Sequence, residues 1–140
     1  MRRFLYITGI AILIGILVVS FVFIKMYNKP HTDVFKASPE YVLTAGEIIS
    51  EFENDEQQAN EKYLDKILQI EGVVSSISTY NGNSVITLEA PGTIGAVICT
   101  MEPSQNKKIL GLEKGKEINI RGICTGFLMD VMLVRAVIVD

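Results

Sequence analysis

The sequence has no tryptophan, one histidine and two cysteines in 140 residues. Each scarcity removes a class of chemistry. The histidine, His31, lies in a polar stretch beside Pro30, away from the segments that build a core. Imidazole acid–base catalysis and histidine-based zinc ligation therefore find no residue in the folded part. Cys99 and Cys124 form no CxxC pair, so no zinc set can be assembled from them. Gly-x-Ser-x-Gly, the P-loop and His-Glu-x-x-His are absent. Glu51, Glu53, Asp55, Glu56 and Glu61 lack the alternate spacing and central glycine of a calcium loop, and read as a solvated helix face. A catalytic base would have to be a carboxylate, such as Glu89 or Asp130 near predicted strand ends. The expectation is a protein without catalytic activity, cofactor or metal.

What the chain does have is a charge-free run, Phe4–Ile24. Roughly 20 apolar residues are needed to cross a bilayer core as a helix. The run has that length and is apolar all round, unlike the one-sided stripe of a core helix. The alternative is a cleaved signal peptide, but Lys25-Met26-Tyr27-Asn28-Lys29-Pro30 offers no small-x-small cleavage site. No cysteine follows that could accept lipid. The organisation expected is a transmembrane anchor over residues 1–27, a linker over 28–40 and a folded domain over 41–140.

Charge is divided unevenly. All sixteen acidic residues follow residue 30, against nine of the thirteen basic ones, so that part carries −7 while the whole chain carries −3. Such a domain repels phosphate backbones and anionic surfaces, which counts against nucleic acid as the default partner. Basic residues flank the apolar run almost equally, with Arg2 and Arg3 before it and Lys25, Lys29 and Lys36 after it. The short head is more easily retained than a long domain, so the domain is expected outside the cytoplasm, held by the inner membrane.

A helix is expected from Thr44, because Thr44-Ala45-Gly46-Glu47 fits a capping box. Ile48, Ile49, Phe52, Ala59 and Tyr63 then share one face. From Lys66 the period changes to two. Strands are expected over Ile67–Thr79, Ser84–Glu89, Gly95–Met101, Glu117–Thr125 and Met129–Val139. A bulge or bend is expected at Gly72. Asn81-Gly82 is a two-residue hairpin signal. A short helix capped by Ser104 is expected over Ser104–Leu112, and a turn at Gly126-Phe127-Leu128.

A helix, three strands, a short helix and two strands follow the element order of the OB-fold, a five-stranded Greek-key barrel. The predicted fold is thus mainly β with flanking helices (α+β): an N-terminal transmembrane helix, then a five-stranded OB-fold barrel. A ferredoxin-like or other α+β sheet is the alternative. In the barrel reading, Ile86 and Leu88; Val97, Cys99 and Met101; and Ile118, Ile120, Gly122 and Cys124 point inward.

Certain stretches carry a resemblance. Glu53-Asn54-Asp55-Glu56, Ala59, Lys62-Tyr63 and Lys66 lead into Ile70-Glu71-Gly72-Val73-Val74. Later come Leu112–Lys116, Ile120–Gly126 and Met129–Leu133. In order and spacing these resemble the bacterial tRNA_anti-like family of OB-fold lipoprotein-like proteins, from Leu43 to Val139. The resemblance implies an exported OB-fold domain. Lipidation is not implied, because the acceptor cysteine is missing. Ala136 stands where that family is expected to carry cysteine.

In an exported domain a disulfide is permitted, and Cys99 and Cys124 are the candidate pair across the barrel. OB-fold ligands usually meet the second and third strands and the connecting loops. Here that surface would present Tyr80, Asn81, Asn83, Thr87, Ile98, Thr100 and Phe127, with Tyr80 and Phe127 able to stack on a ligand. The expected function is a membrane-anchored, extracytoplasmic binding module for a protein, a peptide or an envelope saccharide. The alternative is an OB-fold protein that binds single-stranded DNA, RNA or tRNA. A third reading is a structural partner of another membrane protein through Phe4–Ile24.

Overall fold

The computed structural model describes residues 2–27, 34 and 36–139; on the first helix, side chains are described for 12–24 only. Most of the expected linker, His31 included, lies outside the described residues. The chain divides into two compact units, Met1–Thr32 and Asp33–Asp140. In the first, helix α1 spans Arg2–Tyr27 and contains the charge-free run. Its described side chains, Ile12 to Ile24, are all exposed. Among the described residues no helix is long and apolar enough to cross a membrane.

The second unit begins with β1 (Tyr41–Thr44), α2 (Ala45–Asn54) and α3 (Glu56–Tyr63). The strands β2 (Ile67–Tyr80), β3 (Asn83–Glu89) and β4 (Val97–Met101) follow. A 3-10 turn (Pro103–Gln105) and α4 (Asn106–Ile109) lead to β5 (Glu117–Leu128) and β6 (Asp130–Val139). The sheet order is β1-β2-β3-β4-β6-β5, and β2 also pairs with β5. Strands β2 to β6 therefore close into a five-stranded barrel, as the element order predicts. Closure removes the unpaired edges that an open sheet of such apolar strands would present.

The long β2 makes closure possible. Ile67–Val73 pair with β5 and Val73–Tyr80 pair with β3, so Val73 is bonded on both sides. The inward residues expected from the alternation are buried: Ile86, Leu88, Val97, Cys99, Met101, Ile120 and Cys124 are at most 1 % exposed. Gly72 acts differently from the expectation. It pairs regularly with Ile118, and the register shift falls one turn of the pleat later, between Val74 and Ser76. Gly72 is needed for close approach: a Cβ there would lie 3.1 Å from the Cβ atoms of Ala45 and Leu88.

Thr44 caps α2 as the capping box requires. Its hydroxyl accepts from the Glu47 N–H at 3.2 Å, and its own N–H donates to Glu47 Oε2 at 2.7 Å. The single helix expected from there to Tyr63 is two helices. Asp55 leaves helical geometry (φ −153°, ψ 89°) and its Oδ1 accepts from the Gln58 N–H, starting α3 afresh. The apolar face survives the break, because Ile48, Ile49, Phe52, Ala59 and Tyr63 all pack into the core. Ser104 caps nothing: the 3-10 turn starts from Glu102 with Pro103 at its head. β1, unexpected, lies parallel to β2 along Leu68–Glu71, a stretch that β3 does not reach.

Candidate functional site

The strand register assembles an outer face on β2, β3, β4 and β6. Ser76 lies opposite Thr87, Thr87 opposite Ile98, and Ile98 opposite Met132. All four are half-buried. In the next row Ser78 lies opposite Val85 and Val85 opposite Thr100. Tyr80 and Asn83 pair at the end of the β2–β3 hairpin. Between them Asn81 and Gly82 have φ of 49° and 80°, the two positive values that a type I′ turn requires. Five of the seven expected binding residues thus belong to one ladder, and a sixth, Asn81, sits in the turn at its end. Tyr80 stands at its tip, 70 % exposed. Ser76, Ser78, Val85 and Met132 belong to the same rows and were not anticipated; the pairing of β4 with β6 brings in Met132, a neighbour that strand order along the chain does not reveal.

Phe127 is elsewhere. Simple alternation from Ile118 puts it on the outside of β5. The register shifts between Cys124 and Gly126, so that Phe127 pairs with buried Val131. A bulge at Thr125 reverses the facing of everything after it. The ring is half-buried and stacked on Phe52, with centroids 5.3 Å apart and planes at 13°. Gly126 to Leu128 are strand, and the tight connection falls at Met129, with φ 68°. Tyr80 pairs with Asn83, whereas Phe127 shares its row with Leu88 through Val131 and Val97. Those rows are five residues apart along β3, roughly 17 Å.

The disulfide expectation is corrected. Cys99 and Cys124 are both free thiols and both buried. Each is the lateral partner of Leu133, one from β4 and one from β5. Two strand spacings, about 9–10 Å along the sheet, separate them, and a bridge needs Cα atoms within about 7 Å. Burial pushes both thiols up from their ordinary range.

The two carboxylates considered as bases do not converge. Asp130 Oδ1 accepts from the Ala96 N–H at 2.8 Å, which fixes the start of β6 against β4. Glu89, exposed at the end of β3, pairs in register with Val73. Glu53 Oε1 accepts from the N–H groups of Ile94 and Gly95 at 3.1 and 3.0 Å, tying α2 to the β3–β4 loop. Arg121 projects from β5 and donates to the Ala37 carbonyl and to Gln69 Oε1 at 2.8 and 2.9 Å. It holds the segment before β1 against the barrel. Among the described residues no group of three His, Cys, Asp or Glu side chains could hold a metal ion.

Between α2 and α3, Glu51 accepts from the Tyr63 hydroxyl at 2.8 Å and pairs with Lys62 at 2.9 Å. Burial pushes the Glu51 carboxyl up, but the hydrogen bonds from Lys62 and Tyr63 outweigh it and hold the group below its ordinary value. The Lys62 ammonium also lies 4.7 Å from the centre of the Tyr63 ring. This cluster braces the helix pair.

A closed five-stranded barrel with these connections, a helix between its third and fourth strands, and a hairpin-tipped outer ladder defines an OB-fold protein. The chain belongs to the tRNA_anti-like family, whose model matches residues 1–138. Among solved structures, it is similar to a candidate nucleic acid-binding lipoprotein from Klebsiella pneumoniae, at 17% identity and TM-score 0.60. That match covers 70% of this chain and 91% of the other. It is also similar to a chain of the S. pombe Stn1-Ten1 complex, at 22% identity and TM-score 0.41, over 53% of this chain and 58% of the other. Asparaginyl-tRNA synthetase from Pyrococcus horikoshii matches at 10% identity and TM-score 0.42, over 56% of this chain and 20% of the other. No curated protein matches the chain.

Proposed function

We propose that the chain is a membrane-anchored, non-catalytic OB-fold binding module held outside the cytoplasm, and that it binds a protein, a peptide or an envelope saccharide. One observation carries the ligand class. The outer ladder consists of Ser76, Thr87, Ile98 and Met132 in one row and Ser78, Val85 and Thr100 in the next. Four hydroxyls share these rows with three apolar side chains, and none of these residues is cationic. A single-stranded nucleic acid needs lysine or arginine along its backbone track. The −7 balance after residue 30 opposes such a ligand further. Hydroxyl-rich, uncharged faces suit a peptide backbone or sugar hydroxyls. The anchor is inferred from the sequence, since Phe4–Ile24 is free of charge over the length a bilayer crossing needs.

A second reading has its own observation. Tyr80 is open to stacking, and a groove beside the hairpin is lined by Gly82, Ser84, Asn106 and Lys107. A short single strand could stack on Tyr80 and place one phosphate near Lys107. Titration of the detergent-solubilised chain with single-stranded RNA and DNA at low salt separates the two. The proposal expects no saturable binding in the micromolar range. Micromolar affinity that weakens steeply with salt would establish the nucleic-acid reading instead.

A further inference from the structure

The four most exposed apolar side chains of the domain, Ile94, Leu110, Leu128 and Met129, lie at its two ends, and the ends carry opposite charge. At one end Ile94 is 97 % exposed, Leu128 84 % and Met129 80 %. They are neighbours: a Cβ on Gly95 would lie 2.5 Å from the Met129 carbonyl oxygen. Beside them, a Cβ on Gly126 would lie 3.7 and 3.8 Å from Asn60 and Leu64, which puts α3 alongside the patch. Glu56 and Glu61 line the same exposed groove of α3 as Asn60 and Leu64. Glu53 and Asp130 bind the backbone of the Ile94–Ala96 segment. This end is an apolar knob with an acidic rim.

The other end has the complementary character. β3 begins there, and Ser84 donates to Asn106 at 2.9 Å, holding α4 against the hairpin. Between them runs a groove whose apolar lining is Ile77, Ile109 and Leu110, with Lys107 at its edge. Leu110 is 88 % exposed. Lys108 follows on the same short helix and is also exposed.

We propose that copies of this chain associate head to tail, the Ile94/Leu128/Met129 knob of one seated in the Ile77/Leu110 groove of the next. The acidic rim then meets Lys107 and Lys108. The contact is heterologous, since it joins two different surfaces, so repetition builds an open row or a ring and not a closed two-fold dimer. Charge complementarity selects the second copy as occupant. The inference is independent of which protein, peptide or saccharide the outer ladder takes; a nucleic acid held by Tyr80 and Lys107 would compete for the same groove.

The test uses full chains in detergent at low salt and a short bis-maleimide crosslinker. The native thiols are buried and stay silent. Leu110→Cys and Leu128→Cys each replace an exposed side chain, so neither threatens the fold. The proposal expects a crosslinked dimer when the two single variants are mixed, none from either alone, and a ladder of trimers and higher from the double variant. Lys107→Glu with Lys108→Glu should lower the crosslinked fraction about five-fold, the equivalent of about 1 kcal/mol for two surface pairs. Glu56→Lys with Glu61→Lys in the other chain should restore it. Equal crosslinking of each single variant with itself would indicate a two-fold contact and overturn the proposal. A mixture that stays monomeric would also overturn it, leaving these ends to a different protein or to solvent.

Discussion

The ring of Phe127 lies stacked on that of Phe52, their centroids 5.3 Å apart and their planes 13° from parallel. The contact joins the end of β5 to helix α2 and spends on packing an aromatic that alternation would place in the ligand's path. Phe127→Ala should cost about 2 kcal/mol of stability and Phe52→Ala about 3–5 kcal/mol, because Phe52 is fully buried and Phe127 half-buried. A double-mutant cycle by urea unfolding should return a coupling of about 1 kcal/mol. Additive effects would show that the two rings act independently.

The helix pair should be acid-sensitive. Hydrogen bonds from the Thr44 backbone and hydroxyl hold Glu47 below its ordinary value of 4.5. Glu51 is also held below 4.5, where hydrogen bonds from Lys62 and Tyr63 outweigh the effect of burial. A carboxyl whose folded value is depressed contributes stability above its unfolded value and loses it as pH falls through the folded one. Stability should therefore decline as pH drops below about 4.5. Thr44→Ala should cost about 1 kcal/mol at neutral pH. Its deficit should shrink below that pH, as Glu47 loses its charge in both proteins. A deficit constant from pH 7 to 3 would show that the Thr44 hydroxyl does not act on the Glu47 carboxylate.

Both cysteines should be thiols that only unfolding exposes. Alkylation of the native protein without reductant should label neither, and alkylation in denaturant, still without reductant, should label both. Cys99 is fully buried and its thiol is raised by that burial, so the thiolate needed for reaction is scarce. An unlabelled chain two mass units light in denaturant would mean that a disulfide forms after all.

Arg121 binds the Ala37 carbonyl and Gln69 at once. Arg121→Met keeps much of the side-chain volume and removes both hydrogen bonds. Limited proteolysis should then cut near Ala37 several-fold faster, at a stability cost of about 2 kcal/mol. Unchanged cleavage would mean that β1 alone secures this segment.

Much of the architecture was legible because a barrel strand buried on one face repeats every two residues. Val97, Cys99 and Met101, and Ile118, Ile120 and Cys124, declared their inward face by that period alone. Asn81-Gly82 declared its turn, since few residue pairs accept two positive φ values. The bulges did not declare themselves. Nothing local at Thr125 signals an extra residue; the shift is set by how β5 curves to meet β6, and it carried Phe127 from the outer face to the core. Gly72 was noticeable, but one sequence cannot separate a glycine that bends a strand from one that lets Ala45 and Leu88 come close. Asp55 was legible in hindsight as a second cap, being an acidic residue three before the Gln58 N–H. β1 is four residues long, too short for a periodic signal, and owes its place to the part of β2 that β3 leaves unpaired. Of the site, the residues near the hairpin were readable from the fold's usual binding face. Met132 was not, because it reaches that face only through the parallel pairing of β4 with β6.

The proposed binding face lies outside the cytoplasm and takes a protein, a peptide or a saccharide. A photo-crosslinking amino acid placed at Tyr80 and, separately, at Thr87 tests it in intact cells, with adducts identified by mass. Discrete adducts with an envelope protein, peptide or glycan are expected at both positions, on chains that protease added to spheroplasts removes. Nucleotide adducts, or a domain fully protected from that protease, would contradict it.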